Sequence, residues 1–312
     1  MKPLLACNYN ESKLVFPLGA QAKIDGVRGL TTEGGLTGRS LKKHKNKHTT
    51  AFYSGKEYRN LDGELAAASE VDPDLCRVTS SALSTITGTP YTIWHLFDCL
   101  DKNVVGGDYV DRHAYLVSYI KDQHAQGLCL NARVVPMTIC KNLEELLACD
   151  EKWLAMGYEG TIIRALHGKH KEGRSTVTKG ELLRIKRFAD AEAVVVSLEE
   201  GESNNNEAQT NELGRTFRTS HIENKVLNGT LGNMQCDMLN DVEYEGRIIL
   251  TKGQRITVSP GTMLHPMRKH YFENQKEILG HIVTFKYFPK GIKDKPRFPV
   301  FKSLRSSEDI SE

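Results

Sequence analysis

Short runs of apolar residues, many of them alternating with polar ones, recur along the chain and predict a protein built largely from strands. The run that carries Ala20, Ala22 and Ile24 predicts a strand that leads into an Asp25-Gly26 turn. A second apolar run, residues 92–100, predicts another strand. Further short strands are expected late in the chain, over residues 193–196, 248–250, 255–258 and 282–287.

Two stretches have helical spacing instead. Over residues 110–126, one face carries Tyr115, Leu116, Tyr119 and Ile120, which predicts a surface helix packed on a sheet. Residues 143–156 predict a second helix, with Asn142 as the N-cap and Gly157 ending it. The first part of the chain therefore combines helices with strands.

A change of pattern after Phe188 predicts a domain boundary there. The domains are expected to span residues 1–188 and 189–312, and the second is largely strands. Within it, residues 199–212 are polar and acidic and include three consecutive asparagines, so this tract is predicted to be a long mobile loop.

Composition agrees with a two-domain globular protein. The chain has 312 residues, of which 39% are apolar and 26% charged, and no apolar run is as long as a membrane span. Seven cysteines are scattered without a C-x-x-C pair, which indicates reduced thiols and a cytoplasmic location.

The net charge of +3 is modest, but the positive charges are clustered. Residues 42–48 form a dense basic run. A second cluster, residues 286–301, interleaves lysines and an arginine with tyrosine and phenylalanine. Such interleaving is typical of a surface that follows a nucleic-acid backbone, although each run alone is slightly better explained as a solvated, lysine-rich loop.

The segment Lys23-Ile24-Asp25-Gly26-Val27-Arg28 carries the most specific chemistry. The predicted turn delivers Lys23 at a strand end, beside a carboxylate and five residues before Arg28. A lysine amine attacks an electrophile only when it is deprotonated, which nearby cations and partial burial favour. Arg28 stays charged and can bind phosphate or ribose oxygens with its fork of donors. A surface hairpin with an incidental lysine is the competing interpretation.

This segment resembles the signature of the covalent nucleotidyltransferases, which comprise ATP-dependent DNA ligases, RNA ligases and mRNA capping enzymes. Further segments resemble the later motifs of that superfamily, in the same order: Gly38-Arg39, Asp62-Gly63-Glu64, Phe97-Asp98, Glu159-Gly160-Thr161-Ile162-Ile163-Arg164 and Arg184-Ile185-Lys186. The closing R-x-P-x-F pattern, which begins at Arg297, resembles the terminal motif of DNA ligases, especially the small bacteriophage enzymes.

The resemblance implies a role for each matching residue. Lys23 would take AMP onto its side-chain nitrogen. Phe97 would stack on adenine, and Gln21, where many relatives carry Glu, would accept from the adenine amino group. The remaining implied roles are nucleotide and nick contact for Arg39, ribose orientation and metal assistance for Glu64, water-mediated metal binding for Glu159, triphosphate contact for Arg184 and Lys186, and pyrophosphate orientation for Arg297.

The resemblance also implies the fold and the reaction. The fold would be α+β, with an ATP-grasp-like nucleotidyltransferase domain of antiparallel sheets and packed helices followed by an all-β OB-fold domain. The reaction would be ATP-dependent sealing of nicked double-stranded DNA by a monomer, with Mg²⁺ as the metal and Mn²⁺ able to substitute. An RNA ligase of the same superfamily is the alternative, and a non-catalytic nucleic-acid-binding module is the alternative from another class.

Overall fold

Strands form most of the regular structure in the computed structural model, which describes residues 1–185, 187–244, 246–290, 292 and 294–305. The chain divides into two compact units, Met1–Lys186 and Arg187–Glu312. The sequence predicts a boundary after Phe188, and that placement stays a prediction.

The first unit contains helices α1 to α4 and strands β1 to β12. The helices span Lys47–Phe52 (α1), Leu75–Ser84 (α2), Tyr109–Ala125 (α3) and Leu143–Ala155 (α4). The strands span Leu4–Leu5 (β1), Cys7–Asn8 (β2), Leu18–Lys23 (β3), Val27–Thr32 (β4), Gly35–Thr37 (β5), Leu61–Ala66 (β6), Ile93–Cys99 (β7), Ala132–Val134 (β8), Thr138–Cys140 (β9), Gly160–Ala165 (β10), Gly173–Arg174 (β11) and Leu183–Ile185 (β12).

Two five-stranded sheets, mainly antiparallel, organise this unit. Their strand orders are β2-β12-β10-β3-β9 and β5-β4-β6-β7-β8. Leu18, Ala20 and Ile163 belong to the core of the first sheet, and Trp94 and Leu96 to the core of the second. The chain passes from one sheet to the other through the Asp25-Gly26 turn, because β3 belongs to the first sheet and β4 to the second.

Both helices predicted in this unit are present. α3 buries Leu116 and Ile120, as its spacing predicts, but Tyr115 of the predicted face is exposed because it lies at the edge of that face. α4 begins after Asn142, whose side chain accepts a hydrogen bond from the backbone N–H of Glu145. Gly157, with a φ of 91°, follows the end of α4. The left-handed conformation favours glycine and ends the helix.

The second unit contains strands β13 to β21 and helix α5. They span Ala189–Asn204 (β13), Ala208–Thr210 (β14), Thr216–Arg218 (β15), Lys225–Met238 (β16), Val242–Tyr244 (β17), Arg247–Leu250 (β18), Arg255–Val258 (β19), His265–Glu273 (α5), Ile282–Phe288 (β20) and Arg297–Leu304 (β21). The main sheet has the order β19-β16-β13-β20-β21, and its apolar core includes Val195, Met234, Val258 and Phe285.

This sheet closes into a barrel. Ser259, directly after β19, pairs in parallel with Val300 of β21, so the two edge strands meet. The backbone N–H of Phe301 donates to the Ser259 carbonyl at 2.9 Å. Five strands closed in this order are the OB-fold. The α+β class and the OB-fold expected from the sequence are therefore confirmed.

The prediction of a mobile loop over residues 199–212 is wrong. β13 continues to Asn204 and pairs with β16 as far as Lys225, and residues 208–210 form β14. Glu199 accepts hydrogen bonds from the side chains of Asn233 and Gln235. The prediction fails because the acidic residues lie on the solvent side of a paired strand. They give the segment the same polar composition as a loop.

Candidate active site

Lys23 lies at the end of β3 and forms an ion pair with Glu159. The two side chains are 19% and 5% exposed. Strand pairing brings them together, because Gly160 of β10 is opposite Lys23 and the Glu159 N–H donates to the Lys23 carbonyl at 3.0 Å. Gly160 has a φ of 152°, and a Cβ there would lie 2.9 Å from the carbonyl oxygen of Ile185, so the residue after Glu159 must be glycine.

Glu64 is the second predicted acidic residue, and it lies near the first. In β6, it is opposite Arg28 of β4, which places both side chains on one face of the sheet. Burial raises the pKa of Glu64 to about 7, with Lys23 and Arg28 opposing the shift and Glu159 and Asp25 adding to it. Burial also raises the pKa of Glu159, against the effect of Lys23 and with that of Asp25. Three carboxyl groups therefore surround the Lys23 amine.

These carboxylates are suited to Mg²⁺, which binds oxygen ligands, keeps several waters and needs few protein groups. Burial and mutual repulsion make the ionised forms of these carboxyl groups costly, and a bound cation would lower that cost. Within the described ranges, however, no group of three or more histidine, cysteine, aspartate or glutamate side chains is spaced to hold a metal ion. Glu64 and Glu159 fit a metal held largely through water.

A cavity of about 590 Å³ opens beside Lys23. Gln21, Glu64 and Phe97 line it. One part of its lining is strongly basic and consists of Arg28, Arg39, Lys42, Lys43, Arg174 and Arg184. The volume is within the range of small-ligand sites, and the combination of an aromatic ring with clustered cations suits a nucleotide.

Arg28 and Phe97 are in contact. The Arg28 guanidinium carbon is 4.6 Å from the centroid of the Phe97 ring. The same guanidinium donates to both carboxylate oxygens of Asp62, at 2.5 and 2.6 Å. Its Nη2 also donates to the Leu4 carbonyl at 3.2 Å, so a two-pronged contact with phosphate would have to displace either Asp62 or the Leu4 carbonyl.

Gln21 is only 1% exposed, and both ends of its amide are bonded. Its Nε2 donates to the Val135 carbonyl at 3.0 Å. The Tyr109 hydroxyl donates to Gln21 Oε1 at 2.8 Å and lies equally close to the Phe97 carbonyl oxygen. A hydrogen bond from the adenine amino group to Gln21 would therefore have to end on Oε1, which already accepts one from Tyr109.

A buried charged network that the sequence does not reveal supports Tyr109. The Arg164 guanidinium carbon is 4.3 Å from the centroid of the Tyr109 ring. Asp98 bonds to Arg112 at 2.8 Å and pairs with Arg164 at 3.5 Å. Although burial opposes ionisation, Arg164 and Arg112 hold the pKa of Asp98 below its usual value. Asp98 and Arg164 occur in the motif segments, but nothing in their spacing connects them to Arg112.

The remaining predicted residues are more dispersed. Arg39 is exposed at the cavity lining, and Arg184 donates from Nε to Asn8 Oδ1 at 2.9 Å. Lys186 lies outside the described residues. Arg297 belongs to the second unit, where its Nη1 donates to the Lys290 carbonyl at 2.9 Å and its guanidinium lies 5.2 Å from the Phe288 ring centroid.

None of the helices in the described part of the chain is long and apolar enough to cross a membrane. A scan against protein-family models gives no match. A search of curated protein sequences gives none either.

Solved structures do match, over nearly the whole chain. A DNA ligase-adenylate of Chlorella virus is 27% identical, with a TM-score of 0.53 and coverage of 99% of both chains. A second structure of the Chlorella virus DNA ligase-adenylate is 26% identical, with a TM-score of 0.52 and coverage of 98% of this chain and 99% of the other. A Lig E DNA ligase is 19% identical, with a TM-score of 0.68 and the same coverage, which shows the fold alone. The resemblance to ATP-dependent DNA ligases that the motifs indicate is therefore confirmed, and the chain has the nucleotidyltransferase and OB-fold architecture of these enzymes.

Proposed function

We propose that this protein is an ATP-dependent DNA ligase that seals nicks between 3′-hydroxyl and 5′-phosphate ends in duplex DNA through a covalent AMP on Lys23. The observation that carries the proposal is the Lys23 amine at the end of β3, paired with Glu159 beside a cavity that has an aromatic ring and a basic lining. The likeness to the Chlorella virus DNA ligase-adenylate supports the proposal.

In the first step, the lone pair of Lys23 Nζ attacks the α-phosphorus of ATP, a P–N bond forms, and pyrophosphate leaves with the electrons of the broken P–O bond. The attacking amine must be unprotonated, so its proton has to leave to solvent, while Glu159, the carboxylate in contact with it, holds Nζ at the cavity. The cavity cations Arg39, Arg174 and Arg184 would stabilise the charge that develops on the phosphates.

Next, a 5′-phosphate oxygen of the nick attacks the same phosphorus, the P–N bond breaks, and Lys23 recovers its amine. The 3′-hydroxyl then attacks the activated 5′-phosphate, AMP leaves, and the hydroxyl proton passes to solvent. Glu64 and Glu159 would hold Mg²⁺, which supplies positive charge to the reacting phosphates. Phe97 would hold adenine by stacking, and Lys186 would contact the triphosphate.

The decisive experiment is self-adenylation with α-labelled ATP. We expect the unaltered protein to carry label, Lys23→Ala to carry none, and the control Lys121→Ala, a change at an exposed position on α3, to be labelled normally. Label on the Lys23→Ala protein would end the assignment of Lys23 as nucleophile. If neither the unaltered protein nor the control carries label, the result would favour a non-catalytic nucleic-acid-binding module.

The nucleic acid is tested separately. We expect the adenylated protein to seal a nicked duplex of DNA faster than nicked duplexes of RNA or of mixed composition. Faster sealing of RNA would leave the chemistry of Lys23 in place and identify an RNA ligase of the same superfamily.

A further inference from the structure

Two cysteine thiols face each other in the first unit, away from the cavity lining. Cys140 is the last residue of β9 and Cys149 lies in α4, and their sulfur atoms are 3.9 Å apart. Cys140 is fully buried, whereas Cys149 is half-buried. The structure describes all seven cysteines, and none of them is in a disulfide.

The surrounding fold holds these two sulfur atoms in place. Cys140 is opposite Leu18 of β3 in the first sheet. The residue after Cys149, Asp150, is fully buried and accepts a hydrogen bond from the Thr161 hydroxyl of β10 at 2.8 Å. Because one thiol is fixed to the sheet and the other to a helix tied to that sheet, their proximity is built into the packing.

We propose that Cys140 and Cys149 are a redox-active dithiol that closes to a disulfide by exchange with a low-molecular-weight disulfide such as oxidised glutathione. The thiolate of Cys149, the more accessible of the two, attacks one glutathione sulfur and releases one glutathione. Cys140 then attacks the Cys149 sulfur of the mixed disulfide and releases the second. The protein loses two hydrogen atoms, and one glutathione disulfide is reduced to two thiols.

Closure requires only a local movement, since the sulfurs must approach by about 2 Å to reach a disulfide bond length. Its rate should be set by the buried thiol. Burial raises the pKa of the Cys140 thiol, and the neighbouring Cys149 and Glu145 add to this shift. Because only the thiolate attacks, closure should be slow at neutral pH and faster at pH 9 than at pH 7.

Tryptic mapping tests the proposal without any substitution. Lys141 separates the two cysteines, so trypsin places them in different peptides, Val134–Lys141 and Asn142–Lys152, each with one cysteine. After incubation with oxidised glutathione and blocking of free thiols, we expect these two peptides to be joined in the non-reduced digest and separate after reduction. A digest in which Cys149 carries only glutathione, or in which adducts are spread over all the cysteines, would overturn the proposal.

Substitutions test the order of attack. Cys140→Ser should trap a glutathione adduct on the Cys149 peptide, whereas Cys149→Ser should leave the Cys140 peptide unmodified. Cys7→Ser is the matched control, because Cys7 is half-buried and packs against the same core, and it should close at the rate of the unaltered protein. Modification of Cys140 at an unchanged rate in Cys149→Ser would refute the assignment of Cys149 as the entry thiol.

Discussion

The Lys23 amine is held by a carboxylate, and this contact determines what must change before the amine can react. Its ion pair with Glu159 positions Nζ at the cavity, and this pair has to open before Nζ can approach a phosphorus atom. Asp25 and Glu64 add further negative charge nearby. A nucleotide with bound Mg²⁺ would bring cationic charge to these carboxyl groups and weaken their hold on the Lys23 side chain.

Glu64 gives a prediction for stability against pH. Its pKa rises from 4.5 to about 7 on folding, so the folded protein binds this proton more tightly and the free energy of unfolding should fall as pH rises through that interval. Glu64→Gln removes this contribution. We therefore expect the variant to gain stability relative to the unaltered protein between pH 5 and pH 8, measured by urea unfolding. Glu33→Gln, at an exposed position, is the control, and parallel curves for all three proteins would contradict the prediction.

Tyr109 gives a prediction for nucleotide binding. Tyr109→Phe removes the hydroxyl that bonds to Gln21 and leaves that buried oxygen without this donor. A lost buried hydrogen bond of about 1 kcal/mol corresponds to about a fivefold rise in the KM for ATP, with a similar loss of stability.

Tyr119→Phe is the matched control, since the Tyr119 hydroxyl bonds to the Glu57 carbonyl at 2.7 Å and does not line the cavity. It should lower stability without changing the KM for ATP. Equal effects of both substitutions on KM would show that Tyr109 does not position Gln21 for the nucleotide.

Much of the site follows from sequence because the motif residues have chemistry of their own. The approach of Lys23, Glu64 and Glu159 could be expected from the resemblance of their segments to the nucleotidyltransferase motifs. The hydrogen bonds that occupy Gln21 and Arg28 could not be predicted. Their partners, Tyr109 and Asp62, are distant in sequence, and no local pattern reveals these pairings. Long-range partners of buried polar groups are set by packing, so a sequence indicates the group and not its partner.

At the scale of elements, the link from β3 to β4 has little freedom. Gly26 lies in that turn, where an added Cβ would meet the Leu65 carbonyl oxygen at 2.2 Å and the Glu64 Cγ at 2.9 Å. We predict that Gly26→Ala displaces β6 and abolishes self-adenylation while circular dichroism still shows a folded protein. Gly34→Ala is the control, because its nearest contact would be 3.8 Å away. Normal labelling of Gly26→Ala would show that the approach of the turn to β6 is not needed.

The elements themselves were predicted with uneven success, for physical reasons. α4 follows closely from its cap, its spacing and Gly157, all of which are local. The extension of β13 does not, because its stability comes from pairing with β16, whose partner residues lie 21 to 34 positions further along the chain. Asn206 illustrates the difference. Its residue type and polar neighbours predict an exposed position in a loop. In the structure it is buried, and its amide donates to the carbonyls of Thr219 and His221.

At the scale of the whole molecule, the proposed ligase reaction gives the two units different tasks. Arg297 is the residue of the second unit for which the motif implies a role in pyrophosphate release. That role is confined to the first chemical step, because the later steps involve no pyrophosphate. Arg297→Ala should therefore impair the first step and spare the later ones, whereas a general loss of folding would impair all of them.

We expect Arg297→Ala to reduce self-adenylation by about 100-fold, the usual effect of removing one charge-stabilising donor, while sealing of a pre-adenylated nick stays near the rate of the unaltered protein. Arg255→Ala is the control. It also removes an arginine from the barrel, one paired with Asp237 at the surface, and both reactions should persist. Gel assays of labelled protein and of sealed DNA measure the two steps separately. Equal loss of both reactions in Arg297→Ala would mean that its contacts with Lys290 and Phe288 maintain the barrel and that the motif role is wrong.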